Sequence, residues 1–315
     1  MNILITGIAG FIGSNLAECL LKKGHKIVGI DNLSAGVFEQ VPKGVDFNKI
    51  DIRDKKILPL FDGIEVVFHL AAKNCISDCQ ADPIETSDVN VTGTVSVFEA
   101  CRKSAVRKII YAESSAIYEG VNNFPTLEED EAPESFYAVS KYSEKFFAEA
   151  YIRFYKLRTT ALRYFNVYGP RQDYKRTVPP LMSSIIIKLL KGHRPVIYGD
   201  GTKSRDFIYI DDVNRFHELI MEDTRTDNQI YNVGTGKNYS VLEVYKEIDF
   251  ILKTGLKYIS KPDLPGEAFQ NLADISKATK LGWRPRVSLQ EGLKRSIEYI
   301  KKHVINKEIE TGGIL

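Results

Sequence analysis

TGIAGFIG, residues 6–13, joins the short apolar run Ile3–Ile5 to the first helical pattern of the chain. A strand that turns into a helix through closely spaced glycines has the arrangement of a dinucleotide-binding loop. Gly7 permits the tight turn, Gly10 lets the backbone come close to a pyrophosphate, and Gly13 lets the helix pack closely on the strand. The N–H groups at the start of the helix, together with its dipole, then face the phosphates. Because glycines also serve ordinary turns, the weight of this prediction depends on the rest of the chain.

The first half of the chain alternates short β-branched runs with longer helical patterns. The runs are Ile3–Ile5, Lys26–Ile30, Val45–Ile50, Val66–His69, Lys108–Tyr111 and Thr160–Tyr164, and the helical patterns are Phe11–Lys23, Val89–Lys103 and Tyr137–Tyr155. This alternation predicts an α/β fold of the Rossmann type, a doubly wound parallel sheet with helices on both faces. We expect this domain to span residues 1–165.

The sequence changes character from about Asn166, where loops rich in Pro and Gly become frequent. Between them lie three helical patterns and two strand-like runs: Met182–Leu190, Val241–Leu252, Leu289–Lys302, Phe207–Ile210 and Gln229–Val233. The change predicts a second, smaller domain of mixed α/β structure over residues 166–315. The segments near 207–233 are candidates for returning to the first domain.

The composition favours a small-molecule partner. The 315 residues carry a net charge of +2, which predicts neither a basic surface for nucleic acid nor an acidic tail. The four cysteines form no Cys-x-x-Cys pair and the five histidines do not cluster with them, so we expect neither a metal site nor a disulfide framework. No signal-peptide pattern and no apolar run of ~18 residues is found, so we expect a cytoplasmic protein without a membrane segment.

Asp31 ends the second predicted strand, 18 residues after Gly13. A carboxylate at this place accepts hydrogen bonds from the 2′-OH of an adenosine ribose and repels a 2′-phosphate. The spacing therefore favours NAD over NADP. The alternative is that Asp31 is only a turn residue beside Asn32.

Tyr137 and Lys141 lie four residues apart, on one face of the predicted helix. A free phenol has a pKa of about 10 and becomes a useful base only where a positive charge stabilises the phenolate. Lowering that pKa by about three units requires ~4 kcal/mol, which a close ammonium and an oxidised nicotinamide could supply together. The alternative is a chance pair that faces solvent.

Ser114 and Ser115 follow the apolar run Lys108–Ala112, at the carboxyl end of a predicted strand. Ligands bind at this edge of open α/β sheets, so the Ser114 hydroxyl could donate to a substrate oxygen or relay its proton to Tyr137. The alternative is a capping or turn role. No Gly-x-Ser-x-Gly motif surrounds these serines, which disfavours serine-hydrolase chemistry.

With these residues in view, the chain resembles the extended short-chain dehydrogenases/reductases of the nucleotide-sugar epimerase and dehydratase group, and in particular the UDP-hexose 4-epimerases. The matching segments are Thr6–Gly13, Asp31–Leu33, Asp51–Asp54, His69–Ala72, Asn90–Thr94, Ser114, Tyr137–Lys141, Arg163–Arg171, Gly199–Phe207, Asp211–Val213, Tyr231–Gly234 and Ala273–Lys277. They cover nearly the whole chain in order.

The resemblance implies NAD in the first domain and a nucleotide diphosphate-sugar in the cleft between the domains. The residues that it places around NAD are Gly7, Gly10, Phe11, Ile12, Gly13, Asp31, Asn32, Asp51, Ile52, Leu70, Ala71, Ala72, Asn90, Tyr137 and Lys141. Those that it places around the substrate are Ser115, Asn166, Arg205 and Asn271. On physical grounds alone, Arg205 beside Asp206 could be a plain surface ion pair. The resemblance also implies a homodimer that pairs through the helices at Val89–Lys103 and Tyr137–Tyr155.

By the same resemblance, Ser114, Tyr137 and Lys141 are catalytic: Tyr137 removes the proton of the sugar 4-OH, and a 4-keto sugar turns over before it is reduced again. Dehydratases and decarboxylases of the group need acidic residues after the catalytic hydroxyl, whereas this chain has Ser114-Ser115-Ala116. We therefore expect 4-epimerisation of UDP-glucose and UDP-galactose. The alternatives are another nucleotide-sugar modification (a dehydratase, a decarboxylase or a reductase) and a catalytically idle NAD-binding regulator.

Three features depart from the group. Glu113 replaces a small residue, and it either reaches the sugar or points away from the site on an alternating strand. Glu119 stands where glycine is usual. Leu264 stands where relatives commonly carry an arginine that binds the diphosphate, and Lys261 could substitute only as a point charge.

Asn271 matches the position at which related UDP-hexose 4-epimerases carry a gate residue beside the 2-substituent of the sugar. A bulky tyrosine there excludes N-acetylated sugars. Asparagine is smaller, so we expect N-acetylated sugars to be accepted too.

Overall fold

Seven parallel strands form the central sheet of the computed structural model, which describes residues 1–172, 179–263 and 268–305. The strands are β1 (Asn2–Thr6), β2 (Lys26–Asp31), β3 (Val45–Lys49), β4 (Val66–His69), β5 (Lys108–Ser114), β6 (Thr159–Tyr164) and β11 (Gln229–Val233). Their order across the sheet is β11-β6-β5-β4-β1-β2-β3. The chain order reverses between β1 and β4, and this reversal opens a crevice at the carboxyl edge of the sheet. The predicted fold class is confirmed.

Helices cover both faces of this sheet. They are α1 (Phe11–Lys22), α2 (Ile76–Ala81), α3 (Pro83–Ser87), α4 (Gly93–Lys103), α5 (Phe136–Tyr155), α6 (Leu181–Leu190), α7 (Ile210–Glu222), α8 (Val241–Leu252), α9 (Ser276–Lys280) and α10 (Leu289–Ile300). Alternate residues of β1 divide between two apolar cores: Ile3 and Ile5 pack with α1 and α7, whereas Leu4 packs with α4 and α5. The period-2 alternation of a strand produces this division.

The region after Asn166 adds three two-stranded sheets to the carboxyl side of the molecule. Their strands are β7 (Val167–Tyr168) with β10 (Ile208–Tyr209), β9 (Ser204–Asp206) with β12 (Asn238–Ser240), and β8 (Val196–Tyr198) with β13 (Ile259–Lys261). Strand β11 joins the central sheet beside β6, and α7 packs on α1. We accordingly propose residues 1–165, together with the α7–β11 segment, as the first domain and the remainder as the second.

Two predicted elements differ from the structure. Only Ile208–Tyr209 of the predicted strand Phe207–Ile210 is extended, and helix α7 begins at Ile210. Asp211 and Asp212 in its first turn suit the positive end of the helix dipole, and its apolar side chains bury one face. The predicted helix Val89–Lys103 begins instead as a π-helical turn over Asp88–Thr92.

Three findings concern membranes, metals and cysteines. None of the helices that the structure describes is long and apolar enough to cross a membrane. Within the described ranges, no group of three or more His, Cys, Asp or Glu side chains is arranged to hold a metal ion. All four cysteines are free thiols.

Candidate active site

The glycine-rich turn after β1 has the geometry that close backbone approach requires. Gly7 has a φ of +70°, and a Cβ there would lie 2.9 Å from the Ala71 backbone nitrogen. A Cβ at Gly13 would collide with the Gly7 carbonyl oxygen. Both positions therefore exclude any larger side chain, which leaves the turn tight and the helix close to the strand.

The start of α1 offers free donors at this turn. Its N-cap is Gly10, and no side chain in the described part of the chain caps it. Its first turn holds no acidic residue, so the N–H groups near Phe11 and Ile12 remain free for an anion. These residues therefore fit the pyrophosphate of a dinucleotide.

Asp31 stands at the end of β2 with only 8% of its surface exposed. Its carboxylate accepts hydrogen bonds from the backbone N–H of Ala9 at 2.9 Å and of Leu33 at 2.8 Å. Burial raises the pKa of this carboxyl, and the two hydrogen bonds oppose that rise. Asp31 therefore stabilises the turn, as the alternative interpretation holds. Each of its oxygens also keeps a lone pair that could accept a hydrogen bond from a ribose hydroxyl.

Asp51, which the resemblance places around NAD, is a second tightly held acidic residue. Asp51 accepts a hydrogen bond from Asn32 Nδ2 at 2.9 Å and forms an ion pair with Arg53 at 2.9 Å. Chiefly through Arg53, the pKa of Asp51 falls to about 2, so this carboxylate is charged at neutral pH. The buried Ile52 side chain packs under Gly93. Arg53 was part of a matching motif, but its role as the partner of Asp51 was not predicted.

The loop Leu70–Ala72 passes beside the Gly7 turn. The Thr6 hydroxyl accepts hydrogen bonds from the backbone N–H of Leu70 at 3.1 Å and of Ala71 at 3.2 Å. Asn90 is fully buried and bonds to both backbone groups of Lys73, at 2.8 and 3.0 Å. Its amide also donates to the Ser140 hydroxyl at 2.9 Å. Asn90 is thus occupied in anchoring the loop that follows Ala72, and its contact with the cofactor stays a prediction.

Helix α5 presents the Tyr137 phenol and the Lys141 ammonium beside the end of β5. Lys141 is only 2% exposed and Tyr137 is half-buried, so the alternative of a solvent-facing pair is wrong. Burial raises the pKa of Tyr137, whereas the Lys141 charge and a hydrogen bond with Ser114 lower it. The structure therefore brings together the three side chains that the sequence analysis predicted to be catalytic.

Both serines lie where β5 ends. Ser114 is the last residue of this strand, and its hydroxyl accepts a hydrogen bond from the Ala116 N–H at 3.2 Å. The capping role is therefore present together with the interaction with Tyr137. Ser115 begins the short 3₁₀ turn that follows and is half-buried.

Glu119 and Glu113 have structural partners. Glu119 accepts hydrogen bonds from the Ser135 N–H at 2.7 Å and from its hydroxyl at 2.9 Å, and Ser135 in turn caps α5. Glu113 is buried and pairs at 2.6 Å with Arg163, its register neighbour on β6. Of the two alternatives for Glu113, the one in which it points away from the sugar agrees with this pair. The Glu113–Arg163 pair was not predicted, and the only sequence signal was a charge within each of two buried strands.

Three predicted substrate residues meet at the second domain. Asn271 Oδ1 accepts hydrogen bonds from the Asp206 N–H at 2.9 Å and from Asn166 Nδ2 at 3.1 Å. Arg205 precedes Asp206 on β9 and donates to the Ser204 carbonyl at 2.9 Å. These residues come from three distant segments of the chain, so the fold alone brings them together.

Two further residues, Leu264 and Lys261, were connected with the diphosphate by the sequence analysis. Leu264 lies outside the described residues. Lys261 ends β13, which pairs with β8, and its side chain is exposed.

Comparison with known proteins identifies the family of this chain. The sequence model of the NAD dependent epimerase/dehydratase family matches residues 3–234. A putative UDP-glucose 4-epimerase of Methanocaldococcus jannaschii is 35% identical over 96% of this chain and 99% of its own length. A UDP-glucuronate 4-epimerase of Thermodesulfobacterium geofontis is 33% identical, over 96% of both chains.

Solved structures agree with this chain in fold over nearly its full length. The UDP-glucose 4-epimerase of Thermotoga maritima with UDP-glucose has a TM-score of 0.92 at 36% identity, and covers 96% of this chain and 99% of that one. A UDP-N-acetylglucosamine 4-epimerase of Methanobrevibacter ruminantium, bound to UDP-N-acetylmuramic acid, has a TM-score of 0.92 at 31% identity with the same coverage. The Thermus thermophilus UDP-glucose 4-epimerase complex with NAD has a TM-score of 0.90 at 34% identity, and covers 96% and 100%. This chain belongs to the NAD-dependent epimerase/dehydratase family, and NAD is its cofactor.

Proposed function

We propose that the protein interconverts UDP-hexoses at C4, with UDP-glucose and UDP-galactose as substrates and their N-acetyl forms accepted as well. The observation that carries the proposal is the grouping of Tyr137, Lys141 and Ser114 at the carboxyl edge of the sheet. This edge is also where the glycine turn leaves its backbone donors free. A base and a nucleotide-binding turn at one crevice suit a reaction on a bound sugar.

Each catalytic side chain has one task in this reaction. Bound NAD supplies two-electron redox chemistry at the sugar C4. Tyr137, as phenolate, accepts the proton of the 4-OH, and it returns a proton after the 4-keto sugar has turned over. Lys141 stabilises the phenolate by its charge, and Ser114 bonds to the reacting oxygen or to the phenol.

The residues around Ser114 favour epimerisation over elimination and decarboxylation. The two residues after Ser114 are Ser115 and Ala116, neither of which is acidic. Glu113 is paired with Arg163, and Glu119 holds the start of α5. Both carboxylates are thus engaged by protein groups, which supports a reaction that needs no carboxylate base at C5 of the sugar.

Acceptance of N-acetylated sugars is supported by Asn271. Because its amide oxygen accepts a hydrogen bond from the Asp206 N–H, the orientation of the side-chain amide is fixed. The NH₂ group, which can only donate, then lies on the other side of the amide. A donor of this kind suits an acetamido carbonyl, and the asparagine side chain leaves more room than a tyrosine.

The test is a panel of UDP, GDP, dTDP and CDP hexoses incubated with the purified protein and no added cofactor. We expect UDP-glucose and UDP-galactose to interconvert until they reach equilibrium. A dehydrated or decarboxylated product would favour the other reactions of the family. Tight NAD binding without turnover of any sugar would favour the catalytically idle regulator.

A further inference from the structure

A buried ion pair stands directly behind the proposed base. Lys141 and Glu144 lie one turn apart on α5, their side chains are 3% and 1% exposed, and Lys141 Nζ donates to Glu144 Oε1. Glu144 Oε2 has no hydrogen-bond partner among the described residues. This second carboxylate oxygen has lost its contact with water without gaining a hydrogen bond, a cost that the ion pair offsets only in part. The arrangement therefore points to a role of Glu144 beyond stability.

A chain of buried polar side chains connects this pair to the glycine turn. His69 lies 2.8 Å from the Thr6 hydroxyl through Nδ1 and 2.9 Å from the Thr94 hydroxyl through Nε2. Thr94 Oγ1 is 2.6 Å from the Asn90 carbonyl and 3.4 Å from Glu144 Oε1. Since a hydroxyl has one proton, Thr94 donates to Asn90, and its contact with Glu144 is the weaker one. Lys141 is therefore the principal partner of Glu144.

Charged, titratable and hydroxyl groups from several neighbouring elements act on the Tyr137 phenol and the Glu144 carboxylate. Those acting on Tyr137 are Lys141, Ser114, Glu144 and Cys79. Those acting on Glu144 are Lys141, Glu113 and Thr94, and Tyr111 lies in the field of both glutamates. Lys141 is the positive charge common to Tyr137 and Glu144.

We propose that Glu144 is a positioning residue for the reaction: its carboxylate holds the Lys141 ammonium in place and sets how strongly that charge acts on the Tyr137 phenol. The inference rests on the proposed function, in which Tyr137 is the base.

The sign of the effect follows from charge. An ionised Glu144 opposes the Lys141 charge and favours the protonated phenol. Burial raises the pKa of Glu144 to about 7, and the charge of Lys141 limits that rise. Removing the carboxylate should leave the ammonium uncompensated and lower the pH at which Tyr137 ionises.

The test is an ultraviolet difference titration of the NAD-bound protein without substrate. The titration of a Tyr137→Phe variant is subtracted from that of its parent, which leaves the absorbance of a single phenol. We expect Glu144→Gln to lower the midpoint by about 0.5–1 pH unit, a 3- to 10-fold change in the phenolate-to-phenol ratio below the midpoint. The matched control is Glu149→Gln, an exposed glutamate on the same helix, which should leave the midpoint unchanged.

Glu144→Asp keeps the charge but withdraws it from Lys141, so its midpoint should fall by less than that of the glutamine variant. It also carries the test if Glu144→Gln does not fold. An unchanged midpoint in the folded glutamine variant, or in the aspartate variant where glutamine is not tolerated, would overturn the proposal even if turnover fell. Absence of turnover in the wild type would contradict the proposed function instead, because the titration needs no substrate.

Discussion

At the scale of single residues, Tyr137 carries the largest predicted effect. Tyr137→Phe removes the base and leaves the apolar ring, so we expect the fold and bound NAD to remain while turnover falls by ~10²–10⁴-fold. Tyr142→Phe is the matched control, because Tyr142 lies on the same helix and its hydroxyl donates to Glu131 at 3.4 Å. Turnover and melting temperature of both variants are measured. Near-wild-type turnover in Tyr137→Phe would refute the assignment.

Asp31 is predicted to govern the choice between the two nicotinamide dinucleotides. Its carboxylate is held by two backbone N–H groups, and an ionised oxygen would repel a 2′-phosphate. We expect Asp31→Asn to weaken discrimination against NADP, measured as the ratio of NAD to NADP released on denaturation after incubation with both. The exposed Asp46→Asn is the control. Release of NADP from the wild type would contradict the argument.

Asn271 is predicted to decide which sugars enter. Asn271→Tyr should lower the turnover of N-acetylated UDP-hexoses at least about tenfold relative to plain ones, because the larger side chain fills the space of the 2-substituent. Asn271→Ala is the comparison variant: it loses the same amide hydrogen bonds as the tyrosine variant but leaves the space open, so it should retain more turnover of N-acetylated sugars than Asn271→Tyr. If the tyrosine leaves the ratio unchanged, either the gate lies one residue away, at Gln270 or Leu272, or the gating argument is wrong.

Residues that act through local geometry could be predicted from the sequence, and residues that act through distant partners could not. The turn glycines and the spacing of Tyr137 and Lys141 are local features, and the structure gives them the expected arrangement. The Glu113–Arg163 pair depends on strand register, and it joins residues 50 positions apart. A single sequence does not specify that register, so the buried charges behind the site were missed.

At the scale of elements, the strands were easier to predict from the sequence than the helices and turns that connect them. The strand runs of the first half are all present, because short runs rich in β-branched and other apolar residues are typical of the strands of a parallel sheet. Helix α7 was missed because its first residue completes a β-branched run that reads as a strand. The π-helical turn at Asp88–Thr92 was missed because its composition does not differ from that of an α-helix.

Helix α7 carries a buried histidine that makes folding dependent on pH. His217 lies 2.6 Å from the Tyr164 hydroxyl, and burial lowers its pKa to about 3. The unfolded chain therefore binds a proton below pH ~6.5 that the folded chain does not, and the stability contributed by the neutral ring is lost as pH falls.

Replacing this histidine should remove that loss. Between pH 7.5 and 5.5, we expect the free energy of unfolding of the wild type to fall by about 1.4 kcal/mol more than that of His217→Gln. Urea denaturation at the two pH values gives the difference, and the exposed His193→Gln is the control. Equal pH dependence in the wild type and His217→Gln would mean that the buried ring is protonated in the folded state.

At the scale of the whole molecule, an apolar surface on α5 remains uncovered. Phe136, Val139, Phe146, Phe147 and Phe154 are all exposed, and they follow one side of the helix. Beside them, a cavity of about 410 Å³ is lined by residues of α4 and α5, among them Val95 and Phe147. Phe98 on α4 and Tyr151 on α5 are instead buried in the core of the monomer.

A second copy of the chain is the predicted cover for this surface. Helices α4 and α5 from each copy would bury the phenylalanines, and each buried side chain contributes roughly 1.5–3 kcal/mol. We therefore expect a homodimer by light scattering at micromolar concentration, and a monomer for the double variant Phe146→Glu and Phe147→Glu. Phe250→Glu is the control, because Phe250 is 68% exposed on α8, away from this surface. A wild-type monomer, or a dimer that survives both glutamates, would show that α4 and α5 do not form the interface.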